Sequence, residues 1–127
     1  MDRAAEWYVM VTGIIIGLSH ILHPGAWADA FAALHRLGKP GAFVNGALNL
    51  FQGAVFVAVH PAWSGPSAVL TLLGWGLVLK GSIGFLAPDL SLRGIAKAGA
   101  FKGQEFRVGG LVLVTIAGIM GYVIFVA

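Results

Sequence analysis

Four apolar stretches, each about as long as a bilayer is thick, constrain the fold of this chain more than any other feature. They run from about residue 7 to 23, 42 to 59, 68 to 86 and 108 to 127. An α-helix needs about 20 apolar residues to cross roughly 30 Å of hydrocarbon. The 127 residues therefore predict an all-α fold, a membrane-spanning four-helix bundle that forms a single domain.

The composition excludes several classes of protein. Hydrophobic residues make up 58% of the chain and charged residues 10%, with a mean hydropathy of +0.89, unlike a soluble domain. Cysteine is absent, which excludes disulfides, iron–sulfur clusters and thiolate metal carriers. The net charge of +3 is expected to record membrane topology. We therefore expect the lipid bilayer as a partner and no nucleic acid.

Proline and glycine mark the ends of the apolar stretches. Pro24 and Gly25 end the first one, because proline cannot continue a helical hydrogen-bond ladder. The segment from Ala26 to Leu37 then has apolar residues at helical spacing, which predicts a short interfacial helix after span one. The segment from Asp89 to Arg107 is predicted as a long connector. The first span is predicted to be retained, since no small-residue cleavage site follows it.

Basic residues predict the orientation. The first and third connectors share one side and hold all but two of the Lys and Arg residues, namely Arg36, Lys39, Arg93, Lys97, Lys102 and Arg107. Short loops rich in Lys and Arg face the cytoplasm. Both termini should therefore lie outside, with the basic connectors in the cytoplasm.

A polar cluster is predicted at the cytoplasmic face from His20, His23, His35 and Asp89. Imidazole and carboxylate ligands suit zinc, so a metal site is one interpretation. The other is that these histidines hydrogen-bond freed backbone carbonyls or lipid headgroups, and we favour it, predicting no metal and no cofactor. A haem shared with His60 is improbable, because His60 should lie at the opposite face.

Lys80 and the second span carry the most distinctive polar pattern. Asn45, Asn49 and Gln52 share one helical stripe, which predicts either a polar lining for a ligand cavity or hydrogen bonds between helices. Lys80 is the ionisable residue inside a span. It either extends to the headgroups or meets the span-two amides and an anionic ligand.

Glycine spacing and the absence of other motifs complete the pattern. Gly13 and Gly17 form a small-xxx-small motif, which predicts close helix packing. With the spans bounded as above, no Asp or Glu lies inside a span, so a carboxylate proton relay has no candidate. No Ser or His lies beside a base at convincing spacing for hydrolysis. We therefore expect a protein that is not an enzyme.

The motifs GLSHILHP, VHPAWSG and TLLGWGLVLKG, the last ending in LAPD, resemble those of small four-helix bacterial inner-membrane proteins. In size and layout the chain is similar to the DoxX-like group. This resemblance covers roughly Gly17 to Asp89. It implies a helical bundle in a bacterial inner membrane, and it brings no activity with it.

Two functions are compatible with these features. The first is a non-enzymatic membrane protein that acts through helix packing, as an accessory or assembly subunit of a larger complex or as a homo-oligomer. Its basis is that the polar and glycine-rich faces point in several directions. The alternative is a binder or transporter of a small anionic or quinone-like molecule that uses Lys80, Asn45, Asn49 and Gln52.

Overall fold

The computed structural model describes residues 3–59, 63–100 and 103–126, and this part of the chain is helical apart from short turns. His60, Lys102 and Ala127 lie outside the described residues. The helices are α1 (Ala4–Leu22), α2 (Pro24–Arg36), α3 (Lys39–Val59), α4 (Ala68–Leu86), α5 (Pro88–Gly99) and α6 (Gln104–Phe125). Four of these described helices, α1, α3, α4 and α6, are long and apolar enough to cross a membrane.

Three of the long helices begin three or four residues before the predicted spans, and this brings two carboxylates into them. Glu6 lies in the first turn of α1 and is buried, and Glu105 lies in the first turn of α6. The expectation that no Asp or Glu lies inside a span is therefore wrong. The positive end of a helix dipole at its N-terminus accommodates negative side chains, so the first helical turn extends past them.

The expectation of a connector between Asp89 and Arg107 is also wrong over most of its length, because this segment forms α5. Pro88 occupies the start of the helix, where its missing N–H costs nothing, and Asp89 lies in the first turn. Ile95 is buried and anchors the apolar face. The helix predicted after span one is present as α2, and it also starts with a proline.

The chain consists of two corresponding halves, each a long helix, a short amphipathic helix and a second long helix. Ala4 and Ala68 begin α1 and α4, and Pro24 and Pro88 begin α2 and α5; both pairs are 64 residues apart (68 minus 4, 88 minus 24). Both short helices follow a single non-helical residue with nearly the same backbone angles. A residue of the first half thus has a counterpart 64 positions later.

Each long helix packs mainly on a long helix of the other half. The most extensive packing is of α1 on α6 and of α3 on α4, and these two interfaces correspond to each other; α2 packs on α5. Glycines allow the close approach in both. A Cβ added to Gly17 would lie 2.9 Å from the carbonyl oxygen of Gly110, and one added to Gly81 would lie 2.7 Å from that of Gly46. Gly81 is the counterpart of Gly17, and Gly110 is the counterpart of Gly46, so the two contacts correspond to each other.

The packed core lies at the end of the bundle away from α2 and α5. It consists of Ala5, Val9, Phe56, Leu70 and Met120. The buried Glu6 lies at the same end, where its carboxylate accepts a hydrogen bond of 3.3 Å from the Ser67 hydroxyl before α4. The described side chains therefore pack tightly at this end.

Candidate functional site

A cavity of about 630 Å³ opens between the two halves at the end covered by α2 and α5. We call it the polar cavity. The described residues that line it with polar side chains are His20, Asn45, Lys80, Ser91 and Glu105. The remainder of its described lining is Phe31, Ile83, Leu90, Gly94, Ile95, Ala98, Phe106 and Gly109. Both halves contribute, so the cavity depends on their association.

Lys80 supplies the positive charge of the polar cavity. It lies in α4, six residues before the last residue of that helix, Leu86, which places it about 9 Å inside the helix end at 1.5 Å per residue. Its ammonium group has no hydrogen bond or ion pair with another described residue. The three N–H donors of Lys80 are therefore available to a ligand.

His20 is held in one orientation by its neighbours. Its Nδ1 lies 2.8 Å from the carbonyl oxygen of Ile16, so in the neutral ring Nδ1 carries the hydrogen and donates it. The ring stacks on Trp27 with centroids 4.0 Å apart, and Trp27 Nε1 donates a hydrogen bond of 2.9 Å to the Ser19 hydroxyl. The remaining nitrogen, Nε2, is then an acceptor at the cavity wall.

One of the three span-two amides shares a cavity lining with Lys80. Asn45 lines the polar cavity together with Lys80. Asn49 instead donates a hydrogen bond of 2.7 Å from Nδ2 to the Asn45 carbonyl oxygen on its own helix. Gln52 donates one of 3.3 Å to the Tyr8 hydroxyl, towards the end with the packed core. Two of the four predicted ligand-binding residues therefore share a site.

One residue of the predicted cytoplasmic-face cluster belongs to the described lining of the polar cavity. His20 lines the polar cavity, whereas His23, His35 and Asp89 are exposed and are not part of its described lining. The described residues contain no group of three or more His, Asp or Glu side chains that could hold a metal ion. His23 lies at the junction of α1 and α2, and His35 lies near the far end of α2.

The glycines of the predicted packing motif face α6. A Cβ on Gly13 would lie 3.1 Å from the Ala117 Cβ, and one on Gly17 would lie 2.8 Å from Val114 Cγ2. Their counterparts on α4 differ, since Leu77 stands in place of Gly13 and Gly81 in place of Gly17. The small residue facing Leu77 is Gly53 on α3. This motif therefore packs α1 against α6 of the same chain.

Sequence reasoning missed Glu105 and an aromatic wall. Phe31 and Phe106 both line the cavity, with ring centroids 5.8 Å apart, and His20 lies 5.7 Å from Phe106. Glu105 lies in the segment that was predicted as a connector, so the sequence did not predict its position at the cavity. Phe31 and Phe106 come from different halves, and no local pattern pairs them.

The polar residues of the cavity break the correspondence between the halves. The counterparts of His20, Asn45, Lys80 and Glu105 are Gly84, Gly109, Ile16 and Gly41. Each of these four side chains thus corresponds to a residue without side-chain polar atoms, whereas the fifth, Ser91, corresponds to Trp27. Because the corresponding helix interface packs without a polar side chain at each of these four positions, these groups are not needed for helix packing.

An adjoining cavity of about 460 Å³ runs along α2 and α3, and we call it the apolar groove. Its described lining is Trp27, Ala30, Phe31, Ala33, Leu34, Leu37, Asn45 and Leu48. Phe31 and Asn45 line both spaces. The polar cavity and the apolar groove therefore both border these two side chains.

No protein-family model, curated protein or solved structure matches this chain. The site is therefore interpreted from its own geometry. That geometry offers hydrogen-bond donors on Lys80 and Asn45 and acceptors on His20 and Glu105, in front of aromatic and aliphatic walls. Such an arrangement can bind the polar head group of a small molecule that is otherwise apolar.

Proposed function

We propose that this chain is a multi-pass protein of a bacterial inner membrane, with α1, α3, α4 and α6 as its spans. Large apolar side chains cover the outside of these helices, with exposed fractions of 71% for Phe51 and 64% for Leu79. Such a surface suits lipid. The bacterial location follows from the resemblance in sequence motifs and layout.

We further propose that both termini lie outside and that α2 and α5 lie at the cytoplasmic face. Because α2 packs on α5, the basic segments meet at one end of the long helices. Arg36, Lys39, Arg93 and Lys97 are exposed there, while Arg3 lies at the other end. The positive-inside rule then assigns the basic end to the cytoplasm.

The function that the geometry supports best is non-catalytic binding of a small amphipathic molecule whose head group is anionic or quinone-like. The observation that carries this proposal is the uneven polar lining of a cavity between two otherwise corresponding halves. An unpaired ammonium below the headgroup level is costly unless it meets water or an acceptor. A ligand oxygen supplies that acceptor for Lys80.

The test is a Lys80→Met variant, which keeps the side-chain length and removes the charge. Decyl phosphate and a decyl benzoquinone are titrated into protein in phosphatidylcholine nanodiscs. A hydrogen bond to a charged group contributes about 1.5–3 kcal/mol, so affinity for decyl phosphate should fall about tenfold or more. Lys39→Met is the matched control, because Lys39 is exposed like Lys80 but lies outside the cavity lining, and it should bind as the wild type does. Equal affinity of Lys80→Met and the wild type for decyl phosphate would show that the Lys80 charge does not contribute to binding.

A second candidate is the packing function, as an accessory or assembly subunit or as a homo-oligomer. The observation in its favour is that Gly76 on α4 and Gly118 on α6 have open space where a side chain would be. Other subunits or a second copy could approach closely there. Mass measurement after gentle extraction tests it, because particles that are strictly monomeric and free of partners would contradict it.

A further inference from the structure

We propose that the ligand is an amphiphile that places one aliphatic tail in the apolar groove while its head group occupies the polar cavity. This inference rests on the proposed function and adds the shape of the ligand. The two spaces are about 460 and 630 Å³ and share Phe31 and Asn45 in their linings. A ligand that contacts these two side chains therefore lies beside both spaces.

The linings of the two spaces differ in chemistry. The polar cavity holds the charged groups of Lys80 and Glu105 and the imidazole of His20. The described lining of the apolar groove is hydrocarbon and aromatic apart from Asn45, which lines both spaces, and the indole N–H of Trp27, which is bonded to Ser19. A polar head group placed in the groove would lose its hydration without finding partners, which is unfavourable. An aliphatic chain has no such requirement.

The apolar groove belongs to the first half alone. At the corresponding positions of the second half, Ser91 stands for Trp27, Lys97 for Ala33 and Ala98 for Leu34. Ser91 and Ala98 line the polar cavity instead. The first half therefore forms an apolar groove, whereas the corresponding positions of the second half hold smaller or polar residues.

Photolabelling with dodecyl phosphate that carries a diazirine at the end of its chain tests the inference. The labelled protein is in phosphatidylcholine nanodiscs, and labelled residues are mapped by peptide mass spectrometry. We expect the label on the groove residues Leu34, Leu37 and Leu48. It should exceed the label on Ile15 and Leu111, which are exposed on the other pair of long helices.

Filling the groove should displace the tail. Ala33→Phe adds a ring to the groove wall, and the groove label should fall about tenfold, which corresponds to about 1.4 kcal/mol of binding free energy. Ala30→Phe fills the same groove and replaces Ala33→Phe if that variant does not fold. Ala26→Phe is the matched control, since Ala26 is exposed on α2 outside both linings and should label as the wild type does.

The outcomes separate this inference from the proposed function. If dodecyl phosphate binds and requires Lys80, but its chain end labels α1 and α6 as strongly as the groove, the tail lies in lipid and the inference is wrong while the proposed function stands. If neither dodecyl phosphate nor a dodecyl benzoquinone binds to the wild type, both proposals fail. Label on the groove that is lost in Ala33→Phe or Ala30→Phe and kept in Ala26→Phe supports the inference.

Discussion

At the scale of single residues, glycines decide how closely the halves approach. A Cβ added to Gly81 would lie 2.5 Å from the backbone nitrogen of Leu50, and no flexible side chain can relieve that contact. We expect Gly81→Ala to destabilise the bundle by about 1–3 kcal/mol, as overpacking does. Gly76→Ala on the same helix meets nothing within 4 Å and should be neutral or slightly stabilising. Unfolding of both variants in detergent measures the difference, and equal loss of stability would contradict this interface.

The sequence predicted individual residues of the site better than their grouping. Lys80 was identifiable because a charge inside an apolar stretch is conspicuous, and Asn45 because it begins a polar stripe. The pattern could not distinguish Asn45 from Asn49 and Gln52, since that depends on which neighbour each amide reaches. Asn49 bonds to its own helix and Gln52 to Tyr8, a partner 44 residues away in sequence.

At the scale of helices, α5 is the main difference between the prediction and the structure. A cysteine pair can test its packing on α2. A Cβ on Gly99 would lie 3.3 Å from the Ala32 Cβ and 3.0 Å from the Ala32 backbone N and Cα. A small outward shift of α5 relieves the backbone contacts and brings the two Cβ atoms to the usual separation of about 3.5–4.5 Å in a disulfide. The chain has no cysteine, so an Ala32→Cys/Gly99→Cys variant should form one clean cross-link under mild oxidation. Ala32→Cys/Gly94→Cys is the control, because Gly94 has nothing within 4 Å. A cross-link in the control alone would contradict the packing of α5 on α2.

The short helices illustrate what local sequence can and cannot predict. α2 was predicted because apolar residues follow Pro24 at helical spacing. α5 was not, although it is the more amphipathic of the two, because Ser91 and Gly94 lower its intrinsic helix propensity. Its helical state depends on packing against α2, and tertiary contacts of this kind override weak local propensity. The correspondence of the halves was also missed, since few counterpart residues are identical.

At the scale of the whole molecule, the orientation is testable with reporter fusions. Green fluorescent protein fused after residue 127 should be dark and alkaline phosphatase there should be active, because we propose that the C-terminus lies outside. Fused after residue 38, where α2 has ended at the proposed cytoplasmic face, the two reporters should give the opposite result. A fluorescent C-terminal fusion would reverse the orientation and place the polar cavity at the outer face.

The four long apolar helices follow from length and hydropathy, whereas the packing of each long helix on a helix of the other half does not. That packing depends on glycine contacts between helices far apart in sequence, such as Gly17 with Gly110. It creates a tightly packed core at one end and a cavity at the other. The site is thus a property of the assembled halves, which explains why no single stretch of sequence contains it.

The most direct test of the central claim is the mass of the native protein with whatever co-purifies. Wild-type protein and Lys80→Met are extracted gently, and native mass spectrometry compares each with the 13.2 kDa chain. We predict that the wild type carries one amphiphile per chain and that Lys80→Met carries much less of it. Wild-type protein without any bound molecule, or the same bound molecule at equal occupancy in Lys80→Met, would contradict a ligand site built on Lys80.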